Sequence, residues 1–115
     1  MKTYKPCQGD IVFLDFNPQS GHEQRGRRPA IVVSNETFCK ATGLAFVCPI
    51  TNTDRRFPLH VRLDERLKTT GLIMCEQMKS LDVFARNISF IEKLPYDLLY
   101  EVLNITSSFM ENEIW

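Results

Sequence analysis

A His, a Glu, a Gln and three Arg fall within seven positions of the stretch Gly21-His22-Glu23-Gln24-Arg25-Gly26-Arg27-Arg28-Pro29-Ala30. Proton-transfer groups set beside planar cations, on a loop held by flanking strands, are what acting on a phosphodiester requires. The competing reading is a solvated hairpin loop with a high charge count.

Flanking elements must hold such a loop. Gly9-Asp10 opens the alternating run Ile11-Val12-Phe13-Leu14-Asp15-Phe16, a predicted strand that ends at Asn17-Pro18. After the polar loop 17–27 a second strand is expected over 29–34. Ser34-Asn35-Glu36 reads as the cap of a short helical turn through Lys40. The apolar run 44–50 predicts a strand buried on both sides, broken by Thr51-Asn52-Thr53-Asp54. Residues 58–63 alternate, with Leu59, Val61 and Leu63 on one face and His60 and Arg62 on the other, so His60 is expected at the surface. Thr69-Thr70-Gly71 marks a turn before a buried strand at 72–75, and 83–91 reads as one more strand. Leu98, Leu99, Val102, Leu103, Ile105 and Phe109 recur at helical spacing after Pro95, which predicts a C-terminal helix to about residue 110. The fold class is mainly β with a C-terminal helix, a small barrel with that helix packed on it.

The chain has 115 residues, enough for a single domain spanning 1–115 with one modest core. No apolar run reaches the roughly 20 residues that span a bilayer. Residues 1–10 carry no apolar segment, so a cytoplasmic protein without membrane association is the expectation. Cys7, Cys39, Cys48 and Cys75 lie far apart with only two His beside them, which argues against a zinc site. Cys48 and Cys75, inside apolar runs, read as small core residues. The formal net charge is zero, a balance that disfavours indiscriminate coating of a polyanion. The charge is uneven, however: residues 1–86 hold 13 Lys and Arg against 9 Asp and Glu, while 87–115 hold Lys93 against five acids. Positive charge gathers at Arg25, Arg27, Arg28, Arg55, Arg56 and Lys79. A basic face on a neutral chain suits selective contact with a few phosphates.

Several motifs, in order, make the chain resemble the MazF/PemK family of toxin endoribonucleases. They are Gly9-Asp10-Ile11, Gly21-His22-Glu23-Gln24 with Arg28-Pro29, Pro49-Ile50-Thr51, Gly71, Glu76-Gln77 and Lys79-Ser80. The resemblance implies a partly open SH3-like β-barrel of the MazF, PemK and CcdB kind, and a homodimer. It also implies sequence-specific cleavage of single-stranded RNA (messenger RNA) through 2′-hydroxyl attack, with no metal or other cofactor. The expected partner is a cognate antitoxin with an acidic disordered tail. The family's essential Arg maps onto Arg28, its essential Thr onto Thr51, and the acid of its first loop onto Glu23. Where some relatives carry an Arg two residues before the later acid, this chain has Met74; where some have Asp, it has Glu76.

Attack by an internal 2′-hydroxyl needs a base, charge compensation on a phosphorane and a proton for the leaving 5′-oxygen. Arg28 suits charge compensation first, because a guanidinium offers two parallel donors and stays protonated near neutrality. The Thr51 hydroxyl, at a strand end, can donate to a phosphate oxygen or simply cap the following loop. Glu23 either takes the hydroxyl proton or holds Arg28; His22 is the alternative base, or an RNA contact. Gln24, Arg25, Arg27, Glu76, Gln77 and Lys79 complete the expected RNA-binding set. Phe16, Phe46 and Phe57 read as core or as stacking platforms. The alternative function is a non-catalytic toxin of the same fold that poisons DNA gyrase through an exposed C-terminal Trp, here Trp115.

Overall fold

The computed structural model describes residues 4–16, 26–53 and 57–113. Seven strands and two helices follow in chain order: β1 (Asp10–Asp15), β2 (Arg27–Val32), α1 (Glu36–Thr42), β3 (Ala45–Thr51), β4 (His60–Arg62), β5 (Leu72–Met74), β6 (Lys79–Leu81), β7 (Ser89–Lys93) and α2 (Tyr96–Ser108). Every strand pairing is antiparallel, in the order β4-β5-β3-β2-β1-β7, with β6 added to β3. The sheet does not close on itself: β4 and β7 remain its two ends.

Two apolar clusters sit on the two faces of this sheet, as strand alternation demands. Ile11, Ile31, Cys48, Ile50, Val61 and Ile73 face α2 and meet its Leu98, Leu99 and Val102. Val12, Leu14, Phe16, Ala30, Val32, Ala45 and Val47 form the second cluster with Leu81 and Val83. Burying each such aliphatic side chain contributes about 1.5–3 kcal/mol, and α2 is held by that contact.

The sequence-predicted elements appear, but β2 begins two residues before the expected 29–34, which puts Arg27 and Arg28 on the strand. β4 keeps only three residues of 58–63, and three further differences stand out. Lys79–Leu81 is a three-residue strand, too short to leave a periodic signal. The single strand expected over 83–91 is a 3-10 turn at Val83–Arg86, then Asn87 at φ +56, then β7. Asp82 caps that turn by accepting the Ala85 amide, which turns the chain away from an extended path at 83–86. Cys75 leaves β5 to begin another 3-10 turn, Cys75–Gln77. Asn35 caps α1 through the Phe38 amide at 2.9 Å. Cys48 and Cys75 are fully buried, as expected.

The Gly9-Asp10 motif is scaffold. Gly9 takes φ +91, a conformation that glycine adopts freely. Its amide donates to Val32 O and its carbonyl accepts from Leu94, tying three segments together. Asp10 is buried, with Lys93 Nζ 2.5 Å from Oδ1 and the Cys7 amide 3.0 Å from Oδ2. The Tyr4 hydroxyl also donates to that carboxylate. Burial, reinforced by Asp10, pushes the Tyr4 phenol well above its ordinary pKa.

Candidate active site

Strands β2 and β3 pair from Val32↔Val47 to Ala30↔Pro49 and no farther. Proline has no N–H to give to a ladder. Beyond that point β2 stays with β1, through Leu14↔Arg28, while β3 stays with β5, through Thr51↔Leu72. The sheet therefore parts into two leaves. Arg28 stands on one and Thr51 on the other, two register positions past the last shared pair. Alternation puts Arg28 on the face of Ala30 and Val32, and Thr51 on the face of Val47 and Pro49. These are the same face of the sheet.

Arg28 is half-buried, and Thr51 is 7% exposed. Thr51 Oγ1 accepts the Thr53 amide at 3.1 Å. The hydroxyl thus caps the strand end, and its own proton is left to donate elsewhere. Gly71 presses on this point from β5's side. A Cβ there would lie 2.3 Å from Thr51 O, and Gly71 has φ +118. Only glycine permits that approach. The turn before it is anchored by Glu92, whose carboxylate accepts the Thr69 amide and hydroxyl, both at 2.8 Å.

The polar loop emerges beside Arg28. Phe16 N donates to Gly26 O at 3.0 Å, and Asp15 pairs with Arg27, so the chain on either side of 17–25 closes into a hairpin base. His22, Glu23, Gln24 and Arg25 lie outside the described residues, as do Arg55, Arg56 and Trp115.

The remaining expected residues separate. Arg27 is on the opposite face of β2 from Arg28. It lies over the Phe13 ring at 4.8 Å and donates to Asn87 O at 2.6 Å, so it braces the turn into β7. Lys79 pairs with Val47 and shares the face of Thr51. Gln77 closes the 3-10 turn and is half-buried. Phe16 is core, Phe46 is half-buried against Phe38, and Phe57 is 44% exposed.

Alternation along 58–63 misplaces one residue. His60 does face away from Val61, but its side chain is only 6% exposed. The 3-10 turn carrying Glu76 packs on β4, and His60 Nε2 meets Glu76 Oε2 at 3.0 Å. Phe57 packs edge-on to the imidazole, with ring centroids 5.2 Å apart. No local signal reveals this pairing, because its partners are 16 residues apart. The sequence offers only a His on one short strand and a Glu just past the next.

Residues 7–109 match the family described as PemK-like, MazF-like toxin of type II toxin–antitoxin systems. The endoribonuclease PemK of Escherichia coli is 34% identical over 107 residues, covering 90% of this chain and 80% of that protein. A crystal structure of MazF (Form-I) from Deinococcus radiodurans superposes with a TM-score of 0.89 at 37% identity, covering 94% of this chain and 98% of that one. A MazE–MazF crystal structure (Form-II) from the same organism gives 0.81 at 31% identity, over 94% and 97% of the two chains.

Proposed function

The chain belongs to the PemK-like, MazF-like family of toxin endoribonucleases of type II toxin–antitoxin systems, and from that premise we propose that it cleaves single-stranded messenger RNA at specific sequences, without a metal, across the gap between Arg28 and Thr51. The observation that supports this reading most is the shared face of those two side chains where β2 and β3 part. A phosphate seated there accepts two parallel bonds from the Arg28 guanidinium and one from the Thr51 hydroxyl.

The 2′-hydroxyl of the upstream ribose gives its proton to a base and forms a new bond to phosphorus. Arg28 compensates the charge that builds on the equatorial oxygens. The bond from phosphorus to the 5′-oxygen then breaks, leaving a cyclic phosphate on the upstream ribose. The departing oxygen takes a proton from water or, in a second role, from Arg28. Glu23, on the segment that enters β2 beside Arg28, is the carboxylate for this site, with His22 as the other candidate base. An E23Q variant separates its two roles: a lost acidic limb in the pH–rate profile marks a base, and a uniform loss marks a residue that holds Arg28.

Further contacts to RNA come from Gln24, Arg25, Glu76, Gln77 and Lys79. We propose a homodimer and an antitoxin partner whose acidic tail competes for the same basic face, consistent with the MazE–MazF assembly of a relative 31% identical to this chain. The gyrase-poisoning alternative draws no support from the similar proteins, which are endoribonucleases. The deciding test is incubation of long RNA with purified protein in EDTA beside an R28A variant. Cleavage by the wild type alone is expected; intact RNA in both, or equal cutting, overturns the reading.

A further inference from the structure

We propose that His60 is a positioning residue that holds Glu76 as the acceptor for an N–H group on a base flanking the scissile linkage. The proposal rests on the ribonuclease reading given above. Among the described residues, Nδ1 of the buried His60 ring meets no hydrogen-bond partner, while Nε2 meets Glu76. A neutral imidazole in that setting carries its proton on Nε2, because a proton on Nδ1 would face no acceptor. His60 is therefore a fixed donor, packed on one side by Phe57, and it pins one carboxylate oxygen of Glu76. The other oxygen, on a side chain 28% exposed, meets no hydrogen-bond partner among the described residues.

The placement of this pair separates it from the chemistry. His60 pairs with Met74, and Thr51 pairs with Leu72, so His60 and Thr51 face the same way across β5. Glu76 lies two strand steps of about 3.3 Å and two 3-10 steps of about 2 Å beyond Leu72, roughly 10 Å along the chain direction. His60 stands on β4, across β5 from the strand that carries Thr51. A carboxylate so placed meets a neighbouring nucleotide. Its matching donors are the amino and imino N–H groups on the Watson–Crick edge of an unpaired base.

The test measures kcat and KM on a short single-stranded RNA containing a mapped cleavage site, for the wild type, H60F, H60Q, E76Q and the H60F/E76Q pair. H60F and E76Q are each expected to raise KM about tenfold, the effect of roughly one charge-assisted hydrogen bond, with kcat within about twofold. The double variant is expected to be no worse than either single one, since the two residues act as a unit. H60Q, which restores a side-chain N–H at the Nε2 position, is expected to recover most of the affinity. Unchanged KM, a loss confined to kcat, or additive single effects would overturn the proposal. If H60F does not fold, as judged by thermal unfolding, E76Q and H60Q decide on the same criteria. If the wild type cuts no RNA, the ribonuclease reading fails separately. Binding of the same oligonucleotide, followed by fluorescence anisotropy, then decides the His60 claim, and equal Kd for wild type and E76Q overturns it.

Discussion

Arg28 and Thr51 share one face of the sheet two register positions beyond the last pair that β2 and β3 form, yet each is held by a different neighbour. A paired ladder would have filled the space between them with backbone hydrogen bonds. The parted ladder instead puts the two residues on separate leaves, each paired to a strand that packs into the core.

Replacing Arg28 by Ala should lower RNA cleavage by about 100- to 1,000-fold, the usual cost of one preorganised donor at a developing charge. The side chain is half-buried at a strand end, so the thermal midpoint should move little. Cleavage and unfolding measured on the same preparation check both halves.

Thr51→Val removes the hydroxyl and leaves the Thr53 amide without its acceptor. A stability loss of about 1 kcal/mol should accompany a rate loss of about 100-fold. Thr51→Ser keeps the oxygen and should keep most of the rate. Equal activity of the Val and Ser variants would remove Thr51 from the site.

Gly71→Ala should destabilise the chain by about 2 kcal/mol or more, because a side chain at φ +118 is strained and its Cβ would overlap Thr51 O. Strand β3 must shift to relieve the overlap, so cleavage should fall with stability even though Gly71 touches no substrate. A folded, fully active alanine variant would show that the strand end tolerates movement.

Acid should weaken the fold through Glu92. Burial alone pushes that carboxyl up, but the Thr69 hydroxyl and the Thr69 and Lys68 amides bring it below its ordinary value of 4.5. Its folded value is therefore lower than its unfolded one. The stabilisation is present above about 4.5 and is lost as pH falls through the folded value. Arg66 does the same for Asp64 and Asp97, bridging the loop after β4 to the start of α2. Denaturant midpoints between pH 3 and 6 should drop on the acid side, and the drop should be shallower in E92Q.

Salt should weaken RNA binding steeply although the chain is formally neutral, because a few cations meet phosphates. The logarithm of Kd should rise linearly with that of salt, by about 0.7 per phosphate neutralised. Arg28→Ala should remove about one such contact, and a flat dependence in the wild type would contradict phosphate contact by these cations.

Much of this arrangement was legible in order along the chain. Alternation at 10–16, the continuous apolar run at 44–50 and the stripe from Leu98 to Phe109 each report a local contact with the core, so β1, β3 and α2 follow from them. Short elements were less legible. Lys79–Leu81 is defined by its partner β3, and a three-residue strand has no period of its own. The face of Arg27 was equally hidden, since neighbouring arginines on a strand point opposite ways and composition treats them alike.

The residue types at positions 28, 51 and 76 were fixed by the amino-acid order alone, and with them the chemistry the chain has to offer. Tertiary structure decided where that chemistry is used. Which strand Thr51 pairs with, where β2 and β3 part, and that His60 lies buried against Glu76 all depend on contacts between segments remote in sequence. Such contacts form only when the sheet bends around its two apolar clusters, and no local periodicity encodes that bend.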